Sequence, residues 1–226
     1  MSDAAKRPGT AIRLVLFDLD GTFADTAPDM AYALNRTLQQ NGRQPLTLET
    51  IRPHVSHGGV ALIRLGFGIE PDDPQFAPLR QQFLDFYRDN LTRGTSLFAG
   101  IDELLTRLEQ LGIGWGIVTN KPGWLTDPLM RQLALDARAA CIVSGDTTAN
   151  AKPHPEPILH ACRLHGTAPG DTLYIGDAER DIIAGKAAGT TTLVALFGYI
   201  GTGDRPDTWR ADGAISAPLQ VLDWLG

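Results

Sequence analysis

Short apolar runs punctuate the chain. Leu14-Val15-Leu16-Phe17 is continuous, with no polar alternation, as in a strand buried on both faces of a parallel sheet. Trp115-Gly116-Ile117-Val118, Ala140-Cys141-Ile142-Val143, Leu173-Tyr174-Ile175 and Thr192-Leu193-Val194-Ala195-Leu196 repeat the pattern, and Ala214-Ile215 is a weaker instance. Between these runs apolar positions recur at helical spacing. Ile101, Leu104, Leu105, Leu108 and Leu111 form one stripe stopped by Gly112; residues 155–164 and 181–188 also read as helices, followed by Gly166 and Gly189. Strand–helix alternation from Phe98 onward predicts an α/β fold with an open, doubly wound sheet.

Residues 28–93 break that alternation and read as helices throughout. The pattern predicts helices over 29–40, 47–53, 59–65 and 75–91. In the last, Phe76, Leu79, Phe83 and Phe86 share a face, with Leu84, Tyr87 and Leu91 beside them. A helical block between the first and second strands predicts a cap inserted at 28–93 into a core made of 1–27 and 94–226. Thr26 is expected to cap the first cap helix, with Asp29 three residues on and Asp25 structural.

Composition narrows the partners. The 226 residues are 43% hydrophobic and 20% charged, ample for a packed core and unlike a disordered chain. A net charge of −6 argues against a nucleic-acid or anionic-membrane partner. Cys141 and Cys162 read as buried reduced thiols. Residues 1–10 are polar and lack the apolar core of a signal peptide, and no apolar run approaches the roughly 20 residues of a membrane span. A cytoplasmic location is expected.

The chemistry sits where apolar runs end: Phe17-Asp18, Val118-Thr119-Asn120, Val143-Ser144 and Ile175-Gly176-Asp177. In an open parallel sheet ligands bind outside the carboxyl ends of the strands, so these residues can converge on one crevice. Asp18 and Asp20 are two apart and share a side if the chain stays extended, with Gly21 free to turn sharply. A helix starting between Asp177 and Asp181 places Asp181 beside the same crevice. Carboxylates so crowded need a cation, and an all-oxygen set suits Mg²⁺; no His/Cys cluster has zinc spacing. An EF-hand reading fails because Gly21 falls too early and a buried strand precedes the acids.

The ordered set Phe17-Asp18-Leu19-Asp20-Gly21-Thr22, Val118-Thr119-Asn120, Lys152-Pro153 and Gly176-Asp177-Ala178-Glu179-Arg180-Asp181 resembles the motifs of the haloacid dehalogenase superfamily over nearly the whole chain. The resemblance implies a Rossmann-like core with a helical cap. It implies Asp18 as nucleophile, forming an aspartyl-phosphate, and Asp20 as general acid and base. It further implies Mg²⁺ held by the Asp18 carboxylate, the Asp20 carbonyl and Asp177, with Asp181 direct or through water. Thr119, Asn120 and Lys152 are implied to bind the phosphoryl oxygens. An Asp at position 20 favours phosphatases and phosphomutases over dehalogenases and transport ATPases. The implied partner is a small phosphate monoester; the oligomeric state stays open.

Substrate choice is expected to lie with the cap. Ser56, His57, Gly58 and Gly59 read either as an anion-facing loop with N–H groups near a helix start, or as an ordinary turn. Lys121 either reaches the substrate or supports its loop. Arg64 reads as a solvated helix residue, and Trp124 and Tyr199 as packing residues. The run Thr119-Asn120-Lys121-Pro122 with the helical cap most resembles phosphoglycolate phosphatases. Ser96-Leu97-Phe98, 115–122, 130–133 and Gly198-Tyr199-Ile200 resemble enzymes given either that activity or N-acetylmuramic acid 6-phosphate phosphatase activity. A sugar phosphomutase is a further alternative.

Overall fold

The computed structural model describes residues 11–226; the polar stretch 1–10 discussed above lies outside them. Strands β1 (Leu14–Phe17), β4 (Gly114–Val118), β5 (Cys141–Val143), β6 (Thr172–Gly176), β7 (Thr191–Ala195) and β8 (Gly213–Ile215) form a six-stranded sheet in the order β5-β4-β1-β6-β7-β8. Every pairing in it is parallel. Alternation along β1 sends Leu14 and Leu16 into one core and Val15 and Phe17 into the other, which is why the run shows no polar positions. Helices α7 (Glu156–His165) and α8 (Glu179–Ala188) cover the first face through Ile158, Ala161 and Ala184. Helices α5 (Ile101–Gln110) and α6 (Gly123–Gln132) contribute Leu104, Leu105, Leu125 and Leu129 to the second.

The sequence pattern conceals α6. It begins on Gly123 and carries Pro128, both poor helix residues, yet burial of Leu125, Leu129 and Met130 holds it. Trp124, expected to pack, is instead an exposed residue of this helix.

The helical block expected as a cap comprises α1 (Ala27–Gln40), α2 (Leu48–Ile51), a 3₁₀ stretch Arg52–His57, α3 (Gly58–Phe67) and α4 (Phe76–Arg88), with Leu34, Leu62 and Phe83 fully buried. Ser56 and His57 therefore lie in a 3₁₀ turn rather than an open loop. It runs straight into α3 at Gly58, whose φ of 71° turns the chain. The short strands β2 (Ala24–Asp25) and β3 (Ser96–Leu97) pair antiparallel where the chain leaves and re-enters the core. Among the described residues no helix is long and apolar enough to cross a membrane.

The expected capping box at Thr26 does not form. The Thr26 hydroxyl donates to Asp20 Oδ1 at 2.6 Å, and α1 has no side-chain cap there. Asp29 instead accepts from the Gly94 N–H (2.8 Å) and the Thr95 N–H (2.8 Å), tying the start of α1 to the returning strand. Asp29 is 2% exposed, so its loss strands two donors. Asp29→Ala is expected to lower unfolding free energy by about 2–4 kcal/mol, read as a shift in the urea midpoint at constant m.

Candidate active site

Asp18 follows the central strand and donates its N–H to Ile175 O at 2.8 Å. With β4 and β6 on either side in register, Thr119 and Asp177 emerge beside it. Asp18, Asp20, Thr119, Asn120 and Lys121 line one wall of a cleft of about 250 Å³; Ser56, His57, Gly58, Gly59 and the α4 residues Arg80, Phe83, Leu84 and Tyr87 line the other.

Lys152 is the pivot of the floor, with a fully buried side chain. Its ammonium lies 2.8 Å from Asp18 Oδ1 and 2.7 Å from Asp181 Oδ1, and it donates to Val118 O and Tyr174 Oη, each at 2.8 Å. Burial works to lower the pKa of Lys152, but Asp18 and Asp181 outweigh it and hold the amine above its ordinary value. The Asn120 amide fixes the Lys152 backbone from both sides, accepting its N–H at 3.0 Å and donating to its carbonyl at 2.9 Å. Thr119 Oγ1 accepts the Lys121 N–H at 3.1 Å.

Asp18, Asp177 and Asp181 each present an oxygen within 4.8 Å of the others, all buried. Asp177 Oδ2 accepts from the Ser56 hydroxyl (2.7 Å) and the Tyr199 N–H (2.9 Å). Gly21, at φ 89°, permits this approach, since a Cβ there would overlap Asp177 Oδ2. Burial, then the charges of Asp18 and Asp181, push the Asp177 pKa up to about 7. Buried, oxygen-only and rich in negative charge, the set fits a hard divalent cation. A second cavity of about 260 Å³, bounded by Ser56, Arg180 and Asp204, also reaches Asp177.

The Asp20 carboxylate lies apart from that cluster. Its Oδ1 accepts from the Lys121 ammonium (2.8 Å) and from Thr26 (2.6 Å), while its carbonyl lies 3.4 Å from Ser56 Oγ. Lys121 also donates to Tyr87 Oη at 2.8 Å. Burial opposes its charge, yet Asp20 and Tyr87 raise its pKa; burial pushes the Tyr87 phenol up to about 12. Lys121 thus links cap helix α4 to Asp20.

Other cap and neck residues find their partners within the fold. The Gly58 N–H is spent on Val55 O, so it does not await an anion, and the Ser56 hydroxyl serves Asp177. Arg64 is exposed and pairs with Glu70. Asp25 holds the neck, accepting two bonds from Arg52 (3.0 and 2.9 Å) and one from the Tyr199 hydroxyl (2.7 Å).

Sequence reasoning passed over Tyr174 and Arg180. Tyr174 looked like one more apolar strand position, but its hydroxyl donates to Val118 O at 3.1 Å. Arg180 sits inside the fourth motif, between two aspartates of the cluster, and that position was the available signal. Its guanidinium bonds the Ser56 carbonyl and lies 3.3 Å from His57 Nδ1, so it ties the cap turn to the core. Burial and Arg180 lower the His57 pKa.

A cation at the acidic cluster competes with the proton on Asp177. Below an unfolded-state value of about 3.9 the folded and unfolded chains are both protonated there. As pH rises toward 7 only the folded chain keeps the proton, so metal-free stability falls over that window. Adding Mg²⁺ is expected to raise Tm more at pH 8 than at pH 6, measured by differential scanning fluorimetry; an equal rise at both contradicts the assignment.

Comparison with known proteins agrees with this geometry. A sequence profile of haloacid dehalogenase-like hydrolases matches residues 15–195. The chain is 39% identical over 214 residues to the N-acetylmuramic acid 6-phosphate phosphatase of Pseudomonas aeruginosa, covering 95% of each chain. It is 43% identical over 211 residues to a phosphoglycolate phosphatase of Xanthomonas campestris, covering 93% of this chain and 95% of that one. The crystal structure of a predicted phosphoglycolate phosphatase from Haemophilus somnus superposes with a TM-score of 0.83 at 25% identity, over 94% of this chain and 97% of that one. The chain belongs to the haloacid dehalogenase-like hydrolases, as an enzyme of their phosphatase branch.

Proposed function

We propose that the protein is a Mg²⁺-dependent phosphatase in which Asp18 attacks phosphorus. The Asp18 oxygen–phosphorus bond forms as the bond to the leaving oxygen breaks, and Asp20 supplies the proton that oxygen needs. In the second step water attacks the aspartyl-phosphate, Asp20 takes its proton, and Asp18 is released. Lys152, bonded to Asp18 Oδ1, fixes the nucleophile, while the Thr119 hydroxyl and the Asn120 N–H meet the phosphoryl oxygens. Asp18, Asp177 and the Asp20 carbonyl, with Asp181, would hold the ion. When bound it shields the nucleophile from the phosphate and offsets charge on the transferring group. Asp18→Asn is expected to cut kcat at least about 10³-fold, measured as inorganic phosphate release.

The cleft carries our reading of the substrate. The cap is seated on the core through Ser56–Asp177, Lys121–Tyr87 and Arg180–Ser56, yet about 250 Å³ remains between them. Met30, Val60, Phe83, Leu84 and Leu125 give that space an apolar side. A two-carbon acid has no apolar body to offer it. An amino-sugar acid phosphate, with its acetyl and lactyl methyl groups, does, which favours N-acetylmuramic acid 6-phosphate. The sequence reading put phosphoglycolate first, and the 43% identical relative keeps it as the second reading. We expect kcat/KM for N-acetylmuramic acid 6-phosphate to exceed that for 2-phosphoglycolate by about 10²-fold, some 2.7 kcal/mol of transition-state binding. The reverse order selects the second reading, and an isomeric phosphate as product selects a mutase.

A further inference from the structure

Cations facing the cleft differ in one respect. Lys121 is held by Asp20 and Tyr87, and Arg180 by the Ser56 carbonyl. Arg80, the remaining cation of the lining, makes no hydrogen bond or ion pair with any described residue. Other cap arginines are placed: Arg52, Arg64 and Arg88 pair with carboxylates, while Arg36, Arg43 and Arg93 lie over aromatic rings.

Arg80, Phe83, Leu84 and Tyr87 fall at helical spacing on one face of α4, and all four line the cleft. Tyr87 marks the catalytic end of this stripe, through Lys121 to Asp20. Arg80 is two turns away, roughly 10 Å along the axis at about 1.5 Å per residue. It stands beside Gly59, where an added Cβ would come within 3.9 Å of Arg80 Nε. A guanidinium left unpaired two turns along α4 from Tyr87 can take an anionic group of the substrate other than the phosphate.

Resting on the substrate class proposed above, we infer that Arg80 is a specificity residue that takes the distal carboxylate of the substrate. It binds that carboxylate at the mouth of the cleft while Phe83 and Leu84 pack against the body between. Because the contact is remote from the phosphorus, it acts mainly on KM.

The test compares wild type, Arg80→Met and Arg80→Lys on N-acetylmuramic acid 6-phosphate and on N-acetylglucosamine 6-phosphate, which lacks the lactyl carboxylate. Arg80→Met is expected to lower kcat/KM for the first by roughly 30- to 100-fold and to leave the second within about 2-fold, with Arg80→Lys in between. Equal losses on both substrates, or no loss on the first, overturn the assignment of Arg80 alone. Wild-type preference for 2-phosphoglycolate over both sugars overturns the larger-substrate reading and this inference with it.

Discussion

One buried ammonium holds the catalytic floor together. Lys152 has no exposed side-chain surface and lies between Asp18 and Asp181, with Val118 O and Tyr174 Oη completing its shell. Taking such charges out of water costs several kcal/mol each, and only close geometry with full hydrogen bonding repays it. The sequence meets that demand from β1, β4, β6 and the first turn of α8. Asn120 locks the Lys152 backbone, Tyr174 fills its last position, and Gly176 leaves room where a Cβ would overlap Asp181. Even so, one ammonium cannot balance Asp18, Asp177 and Asp181. Burial, together with the charge left over, raises Asp177, and that charge makes the cluster receptive to a divalent ion.

The topology turns this local constraint into a site. Because β1 lies between β4 and β6, its exit stands beside both neighbours' exits, and residues far apart in sequence meet without any long loop. The helical insert is attached by the β2–β3 ribbon and the Asp29 clamp, which tie the start of α1 to the returning chain. Asp20 sits where the two parts meet. Thr26 holds it from the neck, and Lys121 holds it from the core while bonding Tyr87 of the cap. The position of Asp20 is therefore linked to the seating of the cap through Lys121.

Much of this was legible in the sequence, for a physical reason. Strands buried on both faces are continuous apolar runs, and the polar residue that ends each one is visible without any structure. Asp18, Thr119 and Asp177 were found that way, and the open, doubly wound sheet followed from the same runs. Helix α6 was not, because Gly123 and Pro128 obscure a pattern that tertiary burial sustains. Tyr174 was hidden by its own hydrophobicity. In the cap, two readings of 56–59 stood open, and packing decides the bonding: Ser56 faces Asp177 and the Gly58 N–H is consumed within its own turn. Short polar segments carry no periodicity, so which partner each group takes is decided by packing that the sequence does not display.

The division between core and cap also separates chemistry from choice. The cations on the core side of the cleft are each held: Lys152 by Asp18 and Asp181, Lys121 by Asp20, Arg180 by the Ser56 carbonyl. Groups so committed cannot adapt to different leaving groups without breaking buried bonds, which suits a reaction common to all monoesters. The α4 stripe is under no such constraint. Phe83 and Leu84 offer shape, and Arg80 has no partner to lose. In a chain of net charge −6, a cation left unpaired at the cleft mouth gives an approaching anion a local reversal of the field. Specificity can then change along α4, one side chain at a time, while the buried floor stays as it is.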